Sequence, residues 1–260
     1  MRIAITREVS TSIGQCELTH LSRQEIDVDR ARTQHAQYEN VLMGLGCRVL
    51  RLPAAPDLPD SVFVEDTAIV LDELAVMTRP GAILRRSETQ SVAEVLREYR
   101  TIFQLVEPGT LDGGDVLQIG RTLYVGSSTR SNISGIKQLK EIVAPYGYEV
   151  EVVKVKGCLH LKSAVTLVNE GTLLINRSWV DANSFGAMDF IDIDPREAYA
   201  ANALLVGDEL IYPASYPMTR LRLEGDGISV RVVDVSELQK AEGALTCCSL
   251  IIQGEGDVSN

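Results

Sequence analysis

The chain has 260 residues, 45% apolar and 23% charged, which excludes a disordered or fibrous chain and suits one large domain over residues 1–260 built from repeated units. The formal net charge of −11 argues against a nucleic-acid partner, which needs a basic surface, and is compatible with a cationic ligand. No apolar run approaches the roughly 18 residues of a membrane helix. The opening MRIAITREVS reads as a strand rather than a leader, so no membrane partner is expected. Five scattered cysteines without CxxC spacing predict free thiols in a reducing, cytoplasmic compartment, with no disulfide framework and no structural zinc.

Arg2–Thr6 is the first apolar strand, followed by a long amphipathic helix over Asp27–Leu45 and a strand at Arg48–Leu52. Then comes a hairpin, Thr67–Leu71 turning at Asp72-Glu73 into Leu74–Thr78. A helix at Glu88–Arg97 and a strand at Thr101–Val106 complete that unit. The pattern returns as Val116–Ile119 and Thr122–Val125 around Gly120-Arg121, with a helix at Ser134–Ala144 and a strand at Glu149–Val155. Two more hairpins follow, Ala164–Val168 with Thr172–Ile175, and Ala203–Val206 with Glu209–Tyr212. Ile228–Val235 is the strand of the last unit, and Ser236–Glu242 a short helix. The C-terminal strand Ser249–Gln253 has no partner nearby.

The unit of hairpin, helix and strand recurs at roughly 40 to 50 residues, a period of repeat folds. If Ser249–Gln253 pairs with Arg2–Thr6, five units close into a ring: an α/β chain folded as a five-bladed α/β propeller of ββαβ-type repeats. A Rossmann sheet is the competing fold, but no GxGxxG follows an early strand.

In such a ring the residues before each hairpin converge on the axis. They are Glu65-Asp66, Asp112-Gly113-Gly114-Asp115, His160, Ala201-Asn202 and Cys247-Cys248. Taken singly, each has a plain structural role: Cys247 as a small buried hydrophobe, His160 as a hydrogen-bonded core histidine, Asp112 as a turn cap, Asp66 as a strand start. Taken together they assemble a thiol, an imidazole and several carboxylates at one place. Carboxylates beside a thiol repel the thiolate unless they bind a cation there. A planar guanidinium suits them, and its carbon, held about 3 to 3.5 Å from sulfur, is open to attack. The imidazole then protonates the departing amine and activates water.

The motifs that carry these residues resemble those of the dimethylarginine dimethylaminohydrolase family of the guanidino-group-modifying (pentein) superfamily. They are Pro59-Asp60-Ser61-Val62-Phe63-Val64-Glu65-Asp66, Thr78-Arg79-Pro80-Gly81-Ala82 with Arg85-Arg86, and Leu111-Asp112-Gly113-Gly114-Asp115-Val116-Leu117. Gly157-Cys158-Leu159-His160-Leu161-Lys162-Ser163 and Leu245-Thr246-Cys247-Cys248-Ser249 complete the set, in family order and across nearly the whole chain.

The resemblance implies the pentein propeller and a cofactor- and metal-independent hydrolase that converts a methylated arginine to citrulline and a methylamine. By resemblance, Cys247 is the nucleophile, His160 the proton donor and Asp112 its holder. Asp60 and Asp66, with Glu65 beside them, clasp the guanidino end. Arg85 and Arg130 bind the substrate α-carboxylate, Leu18 belongs to a lid, and Ala241 offers a backbone contact to the amino group. Zinc on Cys247 with Asp66 or His160 would inhibit. Arginine or another guanidine is the alternative substrate, a non-catalytic guanidine-binding protein the alternative class, and a homodimer is allowed.

Overall fold

The computed structural model describes residues 1–253. Five three-stranded sheets stand around one axis. They are β3 (Ala68–Val70), β4 (Leu74–Met77) and β5 (Thr101–Gln104); β6 (Val116–Ile119), β7 (Thr122–Ser127) and β8 (Glu149–Lys154); β9 (Val165–Asn169), β10 (Thr172–Ile175) and β11 (Asp189–Asp192); and β12 (Leu204–Val206), β13 (Glu209–Pro213) and β14 (Val230–Val233). The fifth combines β15 (Leu250–Ile252) with β1 (Ile3–Arg7) and β2 (Arg48–Leu52).

Every sheet repeats one pairing. The middle strand runs antiparallel to the first and parallel to the third, as in Ile69↔Val76 and Val76↔Phe103. The split hairpin forms as expected, with Ile3↔Ile252 and Ile5↔Leu250 antiparallel and Ile5↔Leu50 parallel. Three hairpin turns use glycines at φ 56°, 91° and 63° (Gly120, Gly171 and Gly207), a region that costs other residues strain.

The parallel third strand requires a crossover. Helices α1 (Val28–Gly44), α2 (Thr89–Leu96), α3 (Ile133–Val143) and α5 (Pro217–Gly225) supply four of the five, and a short 3-10 turn at Ala182–Phe185 stands in the remaining one. Two single turns, α4 (Leu161–Ala164) and α6 (Ser236–Gln239), complete the set. Asp27 and Asn132 cap α1 and α3 by accepting from the Arg30 and Gly135 N–H groups. The strand β11 and helix α5 were not anticipated; the Asp189-Phe190-Ile191-Asp192 strand puts acidic residues at both ends of a short apolar pair. No helix among the described residues is long and apolar enough to cross a membrane.

Apolar side chains fill the wedges between neighbouring sheets. Ile3, Ile5 and Leu250 of the closing sheet, for example, pack with Val64, Ala75 and Met77 of the next. At the axis the filling is polar. Four of the five hairpins are entered through a single helical turn: Val64–Thr67, Gly113–Asp115, α4 and Thr246–Cys248.

These mouths are tied in a closed circle of hydrogen bonds. The Gly114 N–H donates to Asp66 Oδ1 (3.0 Å) and the Leu161 N–H to Asp115 Oδ1 (2.9 Å). Asn202 Nδ2 donates to the Lys162 carbonyl (3.0 Å), and the Thr246 N–H donates to Asn202 Oδ1 (3.1 Å). Thr246 Oγ1 then donates to Glu65 Oε2 (2.8 Å), returning to the first sheet. Each sheet is thus hooked to the next at the point where the candidate site residues sit.

Candidate active site

Cys247, His160, Asp66 and Asp60 line one small cavity of about 10 Å³, with Arg85, Arg130, Ala241, Glu242, Phe63, Leu159 and Glu17. The strand mouths of three sheets therefore deliver the thiol, the imidazole and the carboxylates to one place. Cys247 and Cys248 both lie in the helical turn Thr246–Cys248 and not in a strand, so strand alternation does not separate them. Cys248 Sγ donates back to the Ala244 carbonyl (3.3 Å), and Cys247, unlike Cys248, lines the cavity.

His160 Nε2 faces Asp112 Oδ2 at 3.1 Å, and Nδ1 faces Asp66 Oδ1 at 3.8 Å. Burial opposes charge on the imidazole, but Asp66, the hydrogen bond to Asp112 and Asp115 outweigh it and lift the His160 pKa to about 9. At neutral pH it is an imidazolium. Burial likewise disfavours a carboxylate at Asp66, yet His160, Arg85 and the Gly114 N–H hold its pKa down at about 2. Burial, with Glu65 and Asp66 nearby, pushes the Cys247 thiol well above its ordinary range, so the resting nucleophile is protonated.

The glycines make this proximity possible. A Cβ at Gly114 would stand 2.6 Å from His160 Nδ1 and 2.8 Å from Asp66 Oδ1, and one at Gly113 2.0 Å from the Glu65 carbonyl oxygen. Gly81 donates its N–H to Asp112 Oδ1 (2.8 Å), fixing the carboxylate that orients His160, and lies so close to the Arg130 backbone that a Cβ would meet its oxygen at 2.4 Å.

Most sequence-expected residues converge here, with three differences. Glu65 does not face the cavity: its oxygens accept from Lys162 Nζ (2.6 Å) and Thr246 Oγ1 (2.8 Å), and it borders a larger cavity of about 610 Å³ around the axis. Lys162, one residue pair after His160, draws it away because an unpaired buried carboxylate is costly.

Arg85 reaches the cavity but is heavily engaged. Its Nη1 donates to Asp66 Oδ2 (2.6 Å), Nη2 to Glu88 Oε2 (2.9 Å) and the Phe63 carbonyl (3.1 Å), and Nε to Glu88. Instead of an open fork for a carboxylate, it is a brace beneath Asp66.

Leu18 is partly buried against the apolar cluster of the N-terminal segment, and Glu17 beside it lines the cavity. The Glu17 N–H donates to Asp60 Oδ2 (3.1 Å), and Arg130 Nη2 donates to Thr19 Oγ1 (3.2 Å), so residues 17 and 19 are tied to two side chains that line the cavity.

Residues to which the sequence reading gave no role in the site are Lys162, Glu88, Asp115, Thr246 and Glu242. Asp115 accepts from the Ser128 and Ser131 hydroxyls and the Leu161 N–H, and so positions the turn that follows His160. Asp66, Asp112 and His160 offer ligand atoms within 4.8 Å of one another, a spacing that suits a metal ion, but their mutual hydrogen bonds and opposite charges already pair them. Cys247, where zinc would inhibit by occupying the nucleophile, is not in that group.

A five-bladed α/β propeller with a thiol, an imidazolium and carboxylates at the axis defines a guanidino-group-modifying protein of the pentein superfamily. A family profile described as eukaryotic N,N dimethylarginine dimethylhydrolase matches residues 10–182. The N(G),N(G)-dimethylarginine dimethylaminohydrolase of Streptomyces coelicolor is 40% identical over 248 residues, 95% of each chain, and that of Pseudomonas aeruginosa 34% identical over 226 residues, 86% of this chain and 89% of the other. The chain belongs to the dimethylarginine dimethylaminohydrolase family. The solved Pseudomonas aeruginosa structure, a cysteine-to-serine mutant complexed with citrulline, superposes with a TM-score of 0.91 at 32% identity, covering 96% of this chain and 98% of that one. The N-terminal domain of a cyanobacterial arginine dihydrolase shares the fold with a TM-score of 0.87 at 21% identity, covering 97% of each chain.

Proposed function

We propose that this chain hydrolyses Nω,Nω-dimethyl-L-arginine, and the monomethyl form, to L-citrulline plus dimethylamine or methylamine. One observation carries the reading: Cys247 shares a single small cavity with His160 and Asp66, in a chain 40% identical over 248 residues to an enzyme of that name.

The electrostatics suggest the order of events. The thiol is neutral at rest because burial, Glu65 and Asp66 oppose a thiolate. A bound guanidinium supplies the missing positive charge, and as the substrate cation settles against Asp66 the thiol gives its proton to solvent, His160 being already protonated. Cys247 Sγ attacks the guanidinium carbon, and the C–N bond to the methylated nitrogen breaks as His160 gives that nitrogen its proton. The products of this half are free dimethylamine and an S-alkylthiouronium on Cys247. His160, now neutral, takes a proton from water as the water oxygen adds to the same carbon. The C–S bond breaks, the thiolate leaves, and the proton remaining on the added oxygen passes through solvent to the thiolate, which restores the resting thiol and leaves the neutral ureido group of citrulline.

Arg130 and the backbone at Ala241, which also line the cavity, would hold the free amino-acid group, with Asp60 and Asp66 at the guanidino end. The cavity has room for about one water, and an opening of residues 17–21 to admit the substrate is part of the proposed reaction. All five cysteines are free and buried, in keeping with work in a reducing cytoplasm, and neither metal nor cofactor is needed.

The test is to trap the intermediate. Rapid acid quench of turnover on dimethylarginine, followed by peptide mass mapping, is expected to place the adduct on the 247 sulfur. Cys247→Ser is expected to lose adduct and citrulline, and Cys248→Ser to keep both. An adduct on Cys248, or citrulline from Cys247→Ser, would overturn the assignment.

A further inference from the structure

Glu242 stands out from every other described residue by its backbone. It is the one non-glycine residue with a left-handed conformation, φ 57°. Glutamate is among the less favoured residues there, so the surroundings must hold it in place. The residues on either side show how. Gly243 is pressed so closely onto Phe63 that a Cβ would meet the ring at 2.1 Å. Ala241 is buried in the cavity wall. The chain between them turns the Glu242 side chain toward the segment that closes the pocket.

There the carboxylate meets three successive backbone N–H groups. Thr19 donates to both oxygens at 3.0 Å, and His20 and Leu21 donate to Oε1. Three consecutive N–H groups converging on one anion form a concave backbone nest. Such charge-assisted bonds are about twice as strong as neutral ones.

The other ties on this segment come from Asp60 to the Glu17 N–H, Arg130 to Thr19, and Arg23 to the Gly14 and Cys16 carbonyls. Asp60 and Arg130 line the cavity and are candidates for substrate contact, so substrate can compete for them. Glu242 also lines the cavity, but it holds the segment through backbone N–H groups and has no assigned substrate contact. It also stands in the wall between the reaction cavity and a neighbouring space of about 140 Å³ lined by His20, Leu21, Tyr199 and Tyr216.

We propose that Glu242 is a positioning residue that latches residues 19–21 over Cys247, and that its left-handed backbone aims the carboxylate at the nest. The latch sets the balance between closed and open forms of the pocket. Weakening it leaves the reacting groups in place but lowers the population competent to hold substrate, and apparent affinity falls with that population. The inference rests on reading this pocket as the reaction site. Its first readout, the exposure of the thiol, does not require that the substrate be correctly identified.

The experiment compares Glu242→Gln, Glu242→Ala and Glu242→Gly in the full chain. The glycine variant adopts φ 57° without strain but has no acceptor, so it separates latch from backbone. Alkylation of Cys247 by chloroacetamide, followed by peptide mass mapping without substrate, is expected to speed up at least about fivefold in both the alanine and glycine variants. On dimethylarginine, KM is expected to rise about tenfold while kcat stays within about threefold, the pattern of lost uniform binding. Glu242→Gln, which keeps one acceptor of weaker strength, is expected to fall between. Should the alanine variant fail to fold, the glycine and glutamine variants carry the comparison. Parental alkylation rate and KM in a folded glycine variant would overturn the latch. Thiol exposure without turnover in any form, the parent included, would count against the substrate and leave the latch standing.

Discussion

At the scale of single residues, the site works by opposing burial against paired charge. His160 is buried, yet Asp66, Asp112 and Asp115 raise its pKa to about 9 from an ordinary 6.5. A raised folded-state pKa contributes stability that is fully present below about 6.5 and is lost as pH climbs through about 9. The melting temperature is therefore expected to fall between pH 6.5 and 9.5, and His160→Gln to flatten that fall. An equal slope in the variant would show that other groups dominate. The same charge balance keeps Cys247 protonated at rest. Ultraviolet thiolate absorbance of the parent minus that of Cys247→Ser is expected to be absent at pH 7, and a thiolate signal there would contradict substrate-assisted activation. Gly114 sets the spacing. Adding a methyl in Gly114→Ala forces it onto His160 Nδ1 at 2.6 Å, and a displacement near 1 Å is expected to cost about 10²-fold in kcat. An unchanged kcat would mean that the imidazole moves without loss.

At the scale of elements, the hairpins were legible because apolar strands alternate with Gly, Asp and Asn turns. The expected pairs 116–119 with 122–125 and 164–168 with 172–175 form within a residue or two. The pairing of the two terminal strands was legible only through the repeat, since it joins Ile5 to Leu250 across almost the whole chain. β11 was hidden by acidic residues at its ends, and α5 by a mixed polar face of poor amphipathicity. Of the site, the thiol, imidazole and carboxylates were visible as hairpin mouths. The commitment of Glu65 to Lys162 was not, because a long-range ion pair leaves no periodic trace, nor was that of Arg85 to Glu88, three residues apart in a 3-10 turn (Ile83–Glu88) that the apolar pattern does not mark. The strand β1 lies in the middle of the closing sheet and Ile5 is fully buried. Ile5→Ala is expected to cost about 3 kcal/mol in urea unfolding, and Val152→Thr, on an exposed position of β8, no more than about 0.5 kcal/mol. Equal effects would contradict the sheet order.

At the scale of the whole molecule, a ring without a long central core needs its axis tied, and the circle of hydrogen bonds from Asp66 through Gly114, Asp115, Leu161, Asn202 and Thr246 to Glu65 does this. Thr246 holds two links, donating to Glu65 and accepting from Asn202 Nδ2. Thr246→Val keeps the shape and leaves both partners short of a bond, so it is expected to destabilise the fold by about 2 to 3 kcal/mol. Thr11→Val at an exposed turn is the control. A matching small effect at Thr246 would show that the circle contributes little. The ring also explains how residues nearly 190 apart, Asp60 and Cys247, come to line one cavity while the strands themselves carry no chemistry.

The central claim is the reaction, and turnover tests it most directly. Purified protein, with reductant and no added metal, is given equal concentrations of Nω,Nω-dimethyl-L-arginine and of arginine, and citrulline is measured. The account predicts citrulline chiefly from the methylated substrate, with dimethylamine in equal amount. Citrulline chiefly from arginine, or from neither, would contradict it.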